Sequence, residues 1–281
     1  MTMLANAPIP REPIPHGEDP VTPVAQPSKA LLRVENLSRE FGGVLAIENL
    51  TFTVSQGDIH SIIGPNGAGK TTLFNLITGV YKPSGGTVLF DGATVSGLPP
   101  YKLAARGMSR TFQNLQIFFN MTATENVMVG RHLHLNGKLL PSLFRLPSLV
   151  RKDREAKERA AELMASVGLA KYVDAHASSM PYGALKRLEI ARALASEPKL
   201  LLLDEPAAGL NATESREIDE VIKKVAESGI TVILVEHDMK MVMGISHRIT
   251  ALNYGRKLAE GTPAEVAANS DVVAAYLGTM D

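Results

Sequence analysis

The chain has 281 residues, with 29 Lys plus Arg against 29 Asp plus Glu, so its formal charge is zero and no bulk field draws it to nucleic acid or anionic lipid. It contains no Cys, which excludes disulfide scaffolds, thiolate metal sites and Cys nucleophiles together. Apolar residues make up 45% of it, yet no run reaches the roughly 18 consecutive apolar residues of a membrane-spanning helix; at roughly 150 residues per domain the length allows one large domain or two small ones.

The first 29 residues hold seven of the chain's 17 prolines, which predicts a disordered extension and interrupts any signal-peptide apolar stretch. Globular sequence begins near Leu31. Leu50, Phe52 and Val54 alternate with Thr51 and Thr53 as in a half-buried strand, and Gly57-Asp58 turns the chain into Ile59–Ile63, an antiparallel-looking start. Val88–Phe90 followed by Asp91-Gly92 signals a hairpin. A helical stretch follows, opened by a capping box at Thr122 and Glu125 and continued by a charged amphipathic run from Leu149 to Gly168. The Arg and Lys of that run are interleaved with Asp153, Glu155 and Glu158, the pattern of a solvated face. His132 and His134, two residues apart and without a third ligand, do not make a metal site. Two buried strands, Leu200–Leu203 and Thr231–Val235, flank a helix that Asn211 and Glu214 cap, that Ile218, Val221, Ile222 and Val225 stripe, and that Gly229 ends. Strand, helix, strand predicts a parallel crossover, hence an α/β class. Met239, Met241 and Met243 suit simple packing or an adaptable contact surface.

Gly64-Pro65-Asn66-Gly67-Ala68-Gly69-Lys70-Thr71 fits G-x-x-x-x-G-K-[ST] and stands between an apolar strand and a helical pattern, where a phosphate-binding loop belongs. Glycines let successive backbone N–H groups converge on phosphate oxygens, Lys70 reaches the outer phosphates, and Thr71 can hold Mg2+, with Thr72 beside it. Downstream, four leucines deliver Asp204 and Glu205 to a strand's carboxyl end, where open α/β sheets bind ligands. Asp204 is the metal-side carboxylate, through a water or directly, and Glu205 is placed to polarise an attacking water, as general base or as an orienting acceptor.

The order of these pieces resembles ABC-type ATPases from Leu31 to Asp281. The resemblance implies a P-loop NTPase with a RecA-like core, an antiparallel β subdomain and an α-helical subdomain inserted at about 114–180. It implies that Phe41 stacks on adenine, that Gln113 of Arg110-Thr111-Phe112-Gln113 senses the γ-phosphate and Mg2+, and that His237 is the switch histidine. Where the family has a Leu-Ser-Gly-Gly-Gln-type segment, this chain reads Met180-Pro181-Tyr182-Gly183-Ala184, with Gly183 retained. Pro181 lacks a hydroxyl and an N–H, and Ala184 lacks an amide, so two γ-phosphate contacts are absent and the helix-end N–H groups remain.

Tyr182-Gly183, the stretch Asp204 to Asn211, the Glu236–Ser246 segment and Ala275-Tyr276-Leu277-Gly278 resemble the Liv-type branched-chain amino-acid uptake ATPases. That resemblance implies an ATPase binding ATP and Mg2+ on the cytoplasmic face of the inner membrane. Its implied partners are two integral-membrane permease subunits, a sibling ATPase or a second copy of this chain in a head-to-tail pair, and, indirectly, an extracytoplasmic solute-binding protein. Ile117, Phe118 and Phe119, near Gln113, are the candidate permease-facing groove or, equally, helical-subdomain core. Relatives of this kind also carry urea, amides or other small solutes; a lipopolysaccharide-export ATPase, with a serine in its signature, is a further alternative.

Overall fold

The computed structural model describes residues 29–132 and 147–277, except for the side chains of 147–153 and 277. The proline-rich extension before Lys29, His134 and Gly278 lie outside the described residues.

Two sheets form the body. The first is antiparallel, with strands β1 (Ala30–Phe41), β2 (Val44–Ser55), β4 (Gly85–Phe90) and β5 (Ala93–Thr94) in the order β2-β1-β4-β5. Asp91 and Gly92, both at positive φ (47° and 78°), make the turn from β4 to β5, as the Asp-Gly signal predicts. The second sheet contains β3 (Ile59–Ile63), β6 (Met108–Arg110), β7 (Leu200–Asp204), β8 (Thr231–Val235), β9 (Arg248–Asn253) and β10 (Arg256–Gly261), ordered β10-β9-β3-β8-β7-β6. It is parallel except for β10, which runs antiparallel to β9 along one edge.

The antiparallel partner of β2 is β1, not β3. The turn at Gly57-Asp58 carries the chain from one sheet into the other. Every residue of β3 is buried, a pattern that needs neighbours on both faces and fits the centre of a parallel sheet, whereas alternating β2 is covered on one face.

The helices are α1 (Lys70–Ile77), α2 (Pro100–Ala104), α3 (Ala123–Gly130), α4 (Pro147–Ser166), α5 (Tyr182–Leu194), α6 (Ala212–Glu227), α7 (Met239–Ile245), α8 (Pro263–Ala267) and α9 (Ser270–Leu277). Both predicted capping boxes form, at Thr122/Glu125 and Asn211/Glu214, and the apolar stripe of α6 is buried. On α4, Arg154 pairs with Glu158 and Arg159 with Glu162 on the exposed surface, as a solvated face should.

Three apolar clusters hold the parts together. One joins α1 to the first sheet and one face of the second, through Phe74, Phe90, Leu202 and Ile233. Another joins α3, α4, α5 and α6 to the other face, through Met164, Leu188, Leu201 and Ile222. The third packs Ile63, the last residue before the phosphate loop, against Val242 of α7, Val266 of α8 and Val272 of α9, with Met239, Met243 and Tyr276 around it. Met241 is buried as well, so the three methionines pack.

Candidate active site

The loop from Gly64 to Gly69 is shaped by what surrounds it. A Cβ on Gly64 would lie 2.4 Å from the Leu252 carbonyl oxygen, and one on Gly69, at φ 101°, would lie 2.8 Å from that of Ala46. Only glycine permits this approach. Gly69 caps α1 without a side-chain hydrogen bond, so the helix directs its positive end at the loop. The Lys70 ammonium folds back onto the carbonyls of Gly64 (2.6 Å) and Pro65 (2.9 Å). Burial lowers its pKa, and the carboxylates of Glu205 and Asp204 oppose that shift.

Above the loop is a cavity of about 480 Å3, a size suited to a small ligand. Asn66, Gly67, Ala68, Gly69, Lys70, Thr71 and Thr72 line it, with Gln113 and Glu205 facing them. Sequence reasoning missed the rest of the wall: Val44, Leu45 and Ala46 from β2, and Tyr254 with Gly255 from the β9–β10 turn. That turn had a legible signal, because Tyr254-Gly255 separates two strand patterns and both residues sit at positive φ. Its backbone ties the loop down: Gly255 N–H donates to the Ala68 carbonyl (3.0 Å), and Glu48 N–H donates to the Gly255 carbonyl (2.9 Å).

The two acids at the end of β7 are treated differently. Glu205 is held at φ 49°, a left-handed conformation that costs a non-glycine residue about 1–2 kcal/mol. Its backbone N–H donates to the Val235 carbonyl, and its Oε2 accepts from Gln113 Nε2 at 2.9 Å. Asp204 is buried and does not line the cavity; its Oδ2 accepts from Arg110 Nη2 at 2.8 Å. The hydroxyl of Thr71, the amide oxygen of Gln113 and the carboxylate of Asp204 are hard oxygen donors. Mg2+ is bound through one or two carboxylates besides phosphate and water, so a set with the single carboxylate of Asp204 fits it. Among the described residues no cluster of His, Asp and Glu forms a self-sufficient metal site.

Other expected residues lie outside the cavity. Arg39 stacks at 4.3 Å over the Phe41 ring, whose edge-on neighbour is Tyr81. His237 is mostly exposed, and its backbone N–H donates to Glu236 Oε2 (3.1 Å). Glu236 is buried, which pushes its pKa up, and its other oxygen accepts from Ala207 N–H (2.8 Å). Glu236, not singled out from the sequence, therefore joins the loop after Glu205 to the histidine segment.

Pro181 sits at the N-cap of α5 with no side-chain cap, and Tyr182 and Gly183 begin the helix. Gly183 abuts Glu214, the capping-box residue of α6: a Cβ there would meet Glu214 Oε1 at 2.6 Å. Tyr182 packs against Gly209 in the loop that leads into the same helix.

A second concavity, about 600 Å3, opens between the parallel sheet and the helical region. Val80, Phe112, Phe118 and Val129 give it apolar walls, and all four are exposed. Ile117 lines it but is almost wholly buried in the helical cluster; Phe119 is exposed and is not part of its wall.

A family model described as ABC transporter matches residues 47–208, and one described as branched-chain amino acid ATP-binding cassette transporter matches residues 256–281. The chain is 46% identical over 252 residues to the high-affinity branched-chain amino acid transport ATP-binding protein BraF of Pseudomonas aeruginosa, covering 89% of this chain and 99% of that protein. The corresponding protein of Escherichia coli, LivG, gives the same identity and coverage. Among solved structures, the ADP conformation of an ATP-binding cassette of an ABC transporter aligns with TM-score 0.78 and 31% identity, over 89% of this chain and all (100%) of that one. A dimeric post-hydrolysis cassette bound to ADP and Pi aligns with TM-score 0.70 and 26% identity, over 83% of this chain and 99% of that one.

Proposed function

This chain belongs to the ABC transporter family of ATPases, and from that premise we propose that it is the subunit that hydrolyses ATP to power uptake of branched-chain amino acids through a membrane permease. The observation that carries the reading is the phosphate loop with Gln113 and Glu205 across one cavity, in a chain whose last 26 residues match the branched-chain transporter model. No helix among the described residues is long and apolar enough to cross a membrane. Two permeases and a second ATPase supply the remainder of the complex, on the cytoplasmic face of the inner membrane, with an extracytoplasmic protein delivering the solute.

Two ATPase subunits pair head to tail, and each nucleotide is held by one subunit's phosphate loop and the other's Tyr182-type helix end. Lys70 leaves the Gly64 and Pro65 carbonyls for the outer phosphates. Thr71, Gln113 and Asp204 would hold Mg2+, which when bound would neutralise phosphate charge. Glu205 accepts a proton from water as its oxygen attacks the γ-phosphorus and the bond to the β-bridging oxygen breaks. Gln113, donating to Glu205 Oε2, orients that carboxylate. Nucleotide binds the closed pair more tightly than the open one, and that difference alone shifts the permease between its states. The departures at Pro181 and Ala184 weaken the contact this chain makes to its partner's nucleotide, which favours a pair of unlike siblings.

Glu205→Gln preserves shape and can still accept from Gln113, but it loses proton affinity. Turnover should fall about 10²–10⁴-fold while ATP holds the pair closed on gel filtration. In cells lacking the chain, the parent should restore uptake of radiolabelled leucine and the variant should not. Unchanged turnover would falsify the general-base role, and leucine uptake indifferent to the chain would remove the cargo assignment.

A further inference from the structure

From Thr111 to Phe118 the chain forms neither helix nor strand, and Gln113 lies in that stretch. Its backbone groups have no ladder or helical turn to satisfy them, so their partners come from elsewhere in the molecule or from water. Several are met by charged side chains of α5. Lys186 Nζ donates to the Gln113 carbonyl at 3.4 Å. Glu189 Oε1 accepts from the Gln116 N–H at 3.3 Å, and the same carboxylate accepts from the Phe112 N–H. Arg192 Nη1 donates to the Gln116 carbonyl, and its Nη2 lies 3.9 Å from Glu189 Oε1. These contacts grip the segment on both sides of Gln113, the residue whose Nε2 donates to Glu205 Oε2 at 2.9 Å.

Positions 186, 189 and 192 follow at intervals of three, so they share one face of the helix. Lys186 and Glu189 are each only 3% exposed, where an unpaired charge is costly. Burial pushes the pKa of Glu189 up, and the Gln116 and Phe112 amides, with Arg192 and Lys186, oppose that shift. Apolar residues of similar volume would fill such a helix face at no loss of stability. What the charges add is direction: the carboxylate takes only donors and the two cations take only acceptors, so the segment has one register against α5. Gln113 is exposed, and its side chain reaches Glu205 only from where its backbone is held.

We propose that Glu189, with Lys186 and Arg192, is a positioning residue for Gln113: the charged face of α5 fixes the backbone of 112–116 and thereby the reach from which Gln113 orients the Glu205 carboxylate. This rests on the reading of Glu205 as general base with Gln113 as its orienting partner, and it deepens that reading by naming the groups that hold Gln113 in place. The three charges act through the glutamine and not on the reacting atoms.

The test is a double-mutant cycle between Glu189→Asp and Gln113→Ala, read as ATP turnover at saturation in the assembled complex. Aspartate keeps the charge that balances Lys186 and Arg192 and draws the carboxylate back by a methylene. In the parent background turnover should fall about 10-fold or more, since a misplacement of about 1 Å costs up to about 100-fold. The dissociation constant for ATP without Mg2+ should stay as in the parent, because the phosphate loop is untouched. With Gln113→Ala in place, which should itself lower turnover, Glu189→Asp should cost less than about 2-fold more. Hydrogen exchange should quicken at the Phe112 and Gln116 amides and not in the phosphate loop. A Glu189→Asp loss of equal size in both backgrounds, or parental turnover in Glu189→Asp, overturns the proposal and leaves the general-base reading standing. Parental turnover in Gln113→Ala overturns the role of Gln113 and the proposal with it. Should the aspartate variant not fold, Lys186→Met, which removes the cation at the Gln113 carbonyl, goes through the same cycle and the same outcomes decide.

Discussion

Gly183→Ala tests how the start of the Tyr182–Leu194 helix, which the proposed function turns toward a partner's nucleotide, is built. The new Cβ would lie 2.6, 2.8 and 2.9 Å from Oε1, Cδ and Cγ of Glu214, inside ordinary contact distance, so the glutamate must swing away. Doing so breaks half of a reciprocal cap, because Glu214 Oε2 accepts from Asn211 N–H (3.1 Å) while Asn211 Oδ1 accepts from Glu214 N–H (3.1 Å). Forcing a methyl into a filled site costs about 1–3 kcal/mol, and alanine's better fit to a helix returns about 0.5–1 kcal/mol. The variant should therefore be less stable, by up to about 2.5 kcal/mol, in urea denaturation, with an unchanged slope. The sharper expectation is a change of sign: with Glu214→Ala already in place the clash is gone, and Gly183→Ala should then stabilise by about 0.5–1 kcal/mol. If Gly183→Ala destabilises equally in both backgrounds, the interlock between the two helix ends is wrong.

Lys70→Ala removes charge-assisted contacts worth about 1.5–3 kcal/mol, so the ATP dissociation constant should rise roughly 10–150-fold in equilibrium titration; parental affinity would contradict the cradle. His60, fully buried with Nε2 2.8 Å from Thr250 Oγ1, has its pKa lowered from 6.5 to about 3, first by burial and then by Arg248 and Lys257. The unfolded chain takes up a proton near 6.5 and the folded one refuses it until about 3, so stability is complete above 6.5 and drains as pH falls through that window. Between pH 7 and pH 5 the loss is about 2 kcal/mol, at about 1.36 kcal/mol per pH unit, and His60→Gln should lack that component of the pH profile. Parallel profiles would show that His60 does not govern acid lability.

Much of the nucleotide site was legible because its signals are local. A strand, six loop residues and a helix start lie in one run of sequence, and two acids end a run of leucines. The capping boxes at Thr122 and Asn211 were readable for the same reason. What could not be read was anything that depends on which sheet a strand joins. Ile59–Ile63 reads as the continuation of a hairpin until its parallel neighbours are known, because a turn is visible in sequence and the register it serves is not. Tyr254 and Gly255 reach the cavity only because β9 pairs with β3 beside the loop. Arg110 drew no notice as a single arginine two residues from a phenylalanine; its acceptors come from 35, 32 and 94 positions away. Phe41 shows the converse: a residue identified by its place in a pattern sits under Arg39, which no pattern specified.

The close approach of Gly183 to Glu214, with Tyr182 against Gly209, makes residues from two distant stretches one component. In a head-to-tail pair that component is carried by this polypeptide but serves the nucleotide bound to the other. In the proposed pair of unlike siblings, its defects would be inherited with one gene and felt in the other gene's active site. Exchanging segments between sibling ATPases should then succeed only when the Pro181–Gly183 turn travels with the Gly209–Glu214 turn, and a swap of either alone should produce a chain that binds ATP normally while its sibling turns over poorly.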